Sequence, residues 1–307
     1  MYLYHFGIRE LPFTLTPNTS YFFGLPSHNE AMQVLLTALK TGEGFIKVTG
    51  EVGTGKTLIC RKLLNELPDY FVAAYVPNPM LSPTELRRAV ANELGVELGS
   101  DCDQQAFTQK IQQRLIAIHQ QQKSAVLIID EAQALPIESI EALRLMTNLE
   151  TESRKLLQVV LFGQPELDEK LALPELRQLR QRITFSYSLA LMDPDQVYQY
   201  VRHRVNVAGY HGTDLFNRQC CELLYRASAG TPRVVNVLAH KALMLAYGEG
   251  KSAVEPEHIA AASADTEAAQ TVSSKWWFSP QSKWLLLATT VVVIAMIAGI
   301  WNMRATL

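Results

Sequence analysis

The chain has 307 residues, of which 48% are hydrophobic and 19% charged, and it carries a formal net charge of −2. That composition excludes disorder, collagen-like repeats and low complexity, and leaves room for about two domains at roughly 100–200 residues each. It also offers no bulk electrostatic attraction for nucleic acid. The four cysteines, Cys60, Cys102, Cys220 and Cys221, show no CxxC spacing and two are adjacent, which speaks against a zinc site or a disulfide framework and for a reducing compartment.

The first ten residues lack the charged and apolar regions of a secretory signal peptide. A helical stripe follows at Met32, Leu35, Leu36 and Leu39, then a strand at Phe45–Thr49. After the glycine-rich segment Gly50–Thr57, Leu58, Leu63, Leu64 and Leu67 mark a second helix, and Phe71–Val76 reads as a strand closed by the Pro77–Met80 turn. Helices are predicted over 84–94 and along Phe107, Ile111, Leu115 and Ile118, then a strand at Val126–Asp130 and a helix through Ile140, Leu143, Met146 and Leu149. Strands at Leu157–Phe162 and Ile183–Ser188 complete the pattern. Strands separated by helices predict an α/β fold, a parallel sheet flanked by helices on both faces.

From Asp193 onward the strand signal vanishes. Asp193-Pro194 and Thr231-Pro232 each pair an N-cap with proline at the first helical position, and with helices at 215–227 and 256–262 they predict a small all-helical domain. The Ala-, Ser-, Thr- and Gln-rich stretch 263–283 reads as a linker. The twenty uncharged residues between Lys283 and Arg304 match a hydrocarbon core of about 30 Å as a helix, with Trp284 and Trp301 at the interfaces. The expected organisation is therefore 1–190 α/β domain, 191–262 helical lid, 263–283 linker and 284–301 transmembrane helix, with no folded domain after it. Lys275 and Lys283 before the span, against Arg304 after it, tilt the preceding domain toward the cytoplasm.

The strongest chemical signal is Gly50, Glu51, Val52, Gly53, Thr54, Gly55, Lys56 and Thr57, a complete GxxxxGK[ST] loop between a predicted strand and a predicted helix. In that setting backbone N–H groups and a helix N-terminus converge on a polyphosphate. Lys56 would reach the β- and γ-phosphates and the Thr57 hydroxyl would bind Mg²⁺. Asp130-Glu131, at the C-terminal end of an apolar strand about 75 residues later, would complete the site: Asp130 holding Mg²⁺ through water, Glu131 polarising the attacking water. An extra strand, 71–76, lies between the two motifs and separates this layout from one in which the motif strands are adjacent.

Three further features address the γ-phosphate. Gln164 follows a strand end and could orient water beside Glu131. Arg177, Arg180 and Arg182 precede the fifth strand, either as a guanidinium offered to a neighbouring subunit's site or as a solvated basic face. Arg233 sits in the first turn of a helix, unfavourably against the dipole unless it answers to an anionic ligand.

Taken together, the phosphate loop, the DE and FGQ strand ends, the arginines before the fifth strand and the sequence Gly230-Thr231-Pro232-Arg233 resemble an AAA+ ATPase. More narrowly, Phe6-Gly7, Leu11-Pro12-Phe13, Thr16-Pro17 and Phe22-Phe23, followed by Thr49–Thr57, resemble the ExeA/GspA-type secretion ATPases, including members that serve mannose-sensitive haemagglutinin (MSHA, type IV) pilus biogenesis. The resemblance spans about residues 1–262. It implies ATP and Mg²⁺ as ligands, with Lys56 and Thr57 as the Walker A pair, Asp130 and Glu131 as Walker B, Gln164 as sensor 1 and Arg233 as sensor 2. The arginine finger would be Arg180 or Arg182 ahead of Arg177. His28, Asn29 and Glu30 fall in a segment that in relatives packs near the adenine, or else simply start a helix.

As partners the resemblance implies other copies of the chain in a ring, a hexamer in this family, together with pilus or secretion assembly proteins and the inner-membrane bilayer. ExeA-type proteins continue past their membrane helix into a peptidoglycan-binding domain; here the sequence stops, so direct wall binding is not expected. Two other readings share the core chemistry. One is a nucleotide-gated scaffold with negligible turnover. The other is an ATP-dependent DNA-binding protein, against which stand the acidic balance and the shortness of the basic runs at Arg87-Arg88 and 177–182.

Overall fold

The structure, a computed structural model, describes residues 2–96, 104–148 and 155–272. Both the predicted span 284–301 and most of the predicted linker lie outside the described residues. Among the described residues, no helix is long and apolar enough to cross a membrane.

Five strands, β1 (Phe45–Thr49), β2 (Phe71–Val76), β3 (Ser124–Ile129), β4 (Leu157–Gly163) and β5 (Ile183–Ser188), form one sheet in the order β2-β3-β4-β1-β5. Every pairing is parallel. The interior strands β3 and β4 are apolar at almost every position because both faces are covered. Val126, Ile128, Val160 and Phe162 enter one core with Ile46 and Val48, against α2 (Pro26–Thr41) and α3 (Lys56–Glu66). Their alternates Leu127, Ile129, Val159 and Leu161 enter the other, against α4 (Pro83–Glu93), α5 (Gln104–Gln120) and α6 (Ile137–Met146). Period-two alternation thus feeds two separate cores, each large side chain contributing about 1.5–3 kcal/mol on burial.

The predicted elements of the sheet half stand within a few residues of their expected bounds. Sequence periodicity does not announce α1 (Tyr2–Phe6), α7 (Glu166–Leu171) or α8 (Arg177–Arg180), which are too short to show a repeat.

After β5 come α9 (Pro194–Val207), α10 (Arg218–Ser228), α11 (Pro232–Gly248) and α12 (Pro256–Ala264). Asp193 starts α9 with a capping box, accepting from the Gln196 N–H while Gln196 returns the bond to the Asp193 N–H. Thr231, by contrast, makes no side-chain cap bond, and Pro232 alone sets the start of α11. Cys220 and Cys221 are buried thiols in this group, and burial pushes both up to about 12, far from reactive.

Packing ties two segments to the helices that chain order had placed elsewhere. Tyr2, Phe6, Ile8, Phe13 and Leu25, grouped by position with the sheet, are buried in the core of the four helices. The Arg9 N–H donates to Ala208 O at 2.7 Å, and Phe13 meets Phe216 edge-on at 5.6 Å. Residues 2–25 are thus a strap along the helical group. At the other end the start of the predicted linker folds back: the Gln270 N–H donates to Ala227 O at 2.8 Å and the Val272 N–H to Ser263 Oγ at 3.2 Å.

Phe13 is 3% exposed, so Phe13→Ala should cost about 3 kcal/mol. Hydrogen exchange read by mass spectrometry should then quicken in α9 to α11 while amides of β1, β3 and β4 keep their protection.

Candidate functional site

All strands run the same way and β4 lies between β1 and β3, so the segments that follow these three strands leave the sheet side by side. The Gly50 N–H donates across to Gly163 O at 3.2 Å, joining the end of β1 to the end of β4. At the sheet edge the Asp130 N–H donates to Val76 O at 3.0 Å.

Between β1 and α3 the chain makes a tight loop that only glycine serves at two points. Gly53 and Gly55 have φ of 83° and 101°, in the left-handed region. A Cβ on Gly53 would stand 2.5 Å from Arg233 Cβ, and one on Gly55 would stand 3.1 Å from His28 Cε1. Inside the loop, Lys56 Nζ donates to Gly50 O at 2.7 Å and Glu51 O at 3.0 Å. Burial pulls the Lys56 pKa down, and the nearby Glu131 and Asp130 carboxylates oppose that pull.

Asp130 is 3% exposed. Burial raises its carboxyl pKa against the bonds it accepts from the Thr57 hydroxyl and the Glu131 N–H, the latter 3.0 Å long. A buried carboxylate beside a hydroxyl at the foot of the loop is a hard-oxygen donor set suited to Mg²⁺.

Glu131 adopts φ 53°, a left-handed conformation rare for a residue with a side chain and one that concentrates at functional sites. Two amides converge on its Oε2: Gln164 Nε2 at 2.9 Å and Gln133 Nε2. The Gln164 N–H donates to Gln133 Oε1 at 3.1 Å, closing the ring of three, and Lys170 Nζ holds Gln133 O at 2.6 Å and Leu135 O at 2.7 Å. Burial would raise the Glu131 pKa, but the Gln133 and Gln164 donors, helped by Lys56, hold it below the usual carboxylate range.

These groups open into a cavity of about 320 Å³ whose far end is built from the strap and the helical group. The Arg233 N–H donates to Gly53 O at 3.2 Å and its side chain lines the cavity. Arg204 is 7% exposed, donates to Pro12 O and to Tyr200 OH at 2.8 Å, and stands 4.8 Å over the Tyr21 ring. Tyr200 OH passes the chain of bonds to Asn236 Oδ1 at 3.0 Å. Thr14–Asn18, Phe23 and His28 complete the wall. Burial lowers the His28 pKa, and the backbone carbonyls of Thr54 and Phe23 oppose that shift.

The sequence-predicted residues therefore divide. Lys56, Thr57, Glu131, Gln164 and Arg233 line one cavity, with Asp130 bonded beneath Thr57. Arg177, Arg180 and Arg182 line none of it: they precede β5, at the opposite end of a parallel sheet from the loop. Arg177 and Arg180 are exposed, whereas Arg182 is drawn to Asn148 and to Arg144 O at the end of α6. Of the 28–30 segment only His28 reaches the cavity; Asn29 Nδ2 donates to Gly24 O and Glu30 accepts from Tyr187 OH. Sequence reasoning missed Gln133, Tyr21, Tyr200, Arg204 and Asn236. The signal for Arg204 was legible: it falls on the inward stripe Val197, Val201, Val205 of α9, where an arginine is out of place without a buried role.

Replacing Gln133 and Gln164 together by Ala removes the donors that lower Glu131 and leaves burial opposed only by Lys56. Its carboxyl pKa should rise above that in the unaltered chain, read by carbon-detected NMR titration of nucleotide-free protein.

The chain is similar to known proteins in sequence and in fold. A family described as AAA domain matches residues 39–171. The chain is 42% identical over 250 residues, 81% of its length, to general secretion pathway protein A of Aeromonas hydrophila, and it spans about half, 46%, of that relative. Among solved structures, the Cdc6p protein of Pyrobaculum aerophilum is similar with a TM-score of 0.65 at 17% identity, over 83% of this chain and 70% of that one. The ORC2 protein of Aeropyrum pernix, solved as ADPNP-ADP complexes, follows at 0.60 and 14%, over 84% and 73%. At such identities the structural likeness is one of fold.

Proposed function

Because the chain belongs to the AAA+ ATPases of the ExeA/GspA type, we propose that it binds ATP with Mg²⁺ in the cavity between sheet and helical group and hydrolyses it. The observation that carries this reading is the convergence of the Gly50–Thr57 loop, the Thr57–Asp130 pair and the Glu131–Gln133–Gln164 ring on one cavity.

In this reading Lys56 leaves the loop carbonyls to meet the β- and γ-phosphates, and Thr57 with Asp130 would hold Mg²⁺, which when bound would supply charge neutralisation at the phosphate oxygens. Glu131, kept ionised by its amide donors, accepts a hydrogen bond from the attacking water and so orients it. Gln164 fixes the carboxylate in place, and Arg233 answers to the phosphate charge from the helical side. Since Arg180 sits exposed at the far end of the sheet, it serves a neighbouring copy in a ring, with Arg182 engaged at the end of α6 as the second candidate. The helical group acts as a lid, residues 284–301 anchor the chain in the inner membrane with the ATPase in the cytoplasm, and ATP-driven closure assists assembly of a type IV (MSHA-like) pilus or a secretion apparatus.

Lys56→Ala should abolish ATP binding by the full chain. Glu131→Gln should keep binding while cutting hydrolysis by about 10²-fold or more, both read by calorimetry and phosphate release. Undiminished turnover in Lys56→Ala would remove the site assignment, and an unaltered chain that binds ATP without measurable hydrolysis would favour the scaffold.

Removal of the predicted span should move the protein from the membrane pellet to the supernatant on fractionation of cells.

A further inference from the structure

Resting on the nucleotide-site reading above, we infer that His28 is a positioning residue for the phosphate loop: its Nε2–H···O=C bond to Thr54 turns the Gly55 N–H toward the cavity as a donor for phosphate. His28 comes from the first turn of α2, far in sequence from any motif, and is 4% exposed. Its Nε2 lies 2.9 Å from Thr54 O. A carbonyl only accepts, so Nε2 carries the proton, while the buried Nδ1 meets no hydrogen-bond partner among the described residues.

The stereochemistry follows from the peptide unit. No cis peptide bond occurs among the described residues, so the C=O of Thr54 and the N–H of Gly55 lie in one peptide plane and point in opposite directions within it. Drawing the carbonyl down onto His28 aims the amide up. Among the described residues no acceptor meets the Gly55 N–H, while the neighbouring groups are already committed. The Thr54 N–H donates to Glu51 O at 3.3 Å, and Gly55 O accepts from the Ile59 N–H at 3.0 Å. Neither of those bonds fixes the peptide plane between them, and at φ 101° Gly55 has the latitude to flip it. His28 removes that latitude. Its ring is itself fixed between Gly55, where a Cβ would press on Cε1 at 3.1 Å, and Phe22, whose centroid lies 5.9 Å away. Lys62 caps the outer face of Phe22 at 4.4 Å.

Gln and Met have nearly the same length and shape, and only Gln places an N–H donor about where Nε2 stands. In calorimetric titration of the full chain with Mg-ADP, His28→Met should weaken binding about tenfold and His28→Gln by no more than about threefold, with the two variants melting within a few degrees of each other. Equal losses in both, or none in either, would overturn the inference by reducing His28 to a packing residue. Should His28→Met not fold, His28→Leu, which also lacks a donor, takes its place against His28→Gln with the same outcomes. Absence of ADP binding by the unaltered chain would instead remove the nucleotide site itself.

Discussion

One topological constraint governs the site: in an all-parallel sheet ordered β2-β3-β4-β1-β5, whatever follows β1, β3 and β4 must emerge together. Sequence separates Lys56 from Asp130 and both from Gln164, yet the sheet delivers all three to one edge before any side chain makes a contact. The apolar runs of β3 and β4 are therefore part of the chemistry. A polar residue facing inward there would destabilise the sheet and with it the spacing of the loops. Gln158, the one buried polar side chain of β4, complies by donating to Leu39 O and Glu43 O.

The charges show why the cavity suits an anion. Lys56, Arg204 and Arg233 line it, against Glu131 on the wall and Asp130 beneath. Burial works against Lys56 and Asp130 in their charged forms, an arrangement that is costly until a polyanion and its cation supply the missing partners. Meanwhile the backbone is over-determined: Lys56, His28 and the Arg233 N–H each take a loop carbonyl. Once Lys56 turns to phosphate, the His28 bond keeps the Thr54 carbonyl outward and the Gly55 amide inward, which is what preorganised phosphate binding requires. Two of those three contacts come from outside the loop, one from α2 and one from α11, so the cradle is a joint product of sheet, α2 and helical group.

Much of this was legible in the sequence, and the limits have physical causes. The loop, the DE pair and the strands β2 and β5 could be read because each is a local pattern, a fixed spacing or a period of two. What stayed hidden depends on packing at long range. Gln133 is an ordinary amide until it is seen bonded to Glu131 and Gln164. The strap was assigned by chain order to the sheet, but its aromatics at positions 2, 6 and 13 find their apolar partners on the helical group. Ser263 to Val272 reads as linker from composition, whereas the Gln270 N–H bond to Ala227 O and the packing of Ala269 and Val272 on the helical core dock it. Arg180 and Arg182 looked equivalent in sequence and separate only when Asn148 and the last turn of α6 come within reach of one of them.

The central claim is that the Gly50–Thr57 loop and the Asp130-Glu131 pair enclose one metal-bound triphosphate. Loading the full chain with ATP and Fe²⁺ in place of Mg²⁺, then adding ascorbate and peroxide, cleaves backbone only near the metal. The account predicts cuts in both 50–57 and 130–133, suppressed together by excess Mg²⁺. Cuts confined to one of the two segments, or scattered without regard to ATP, would contradict it.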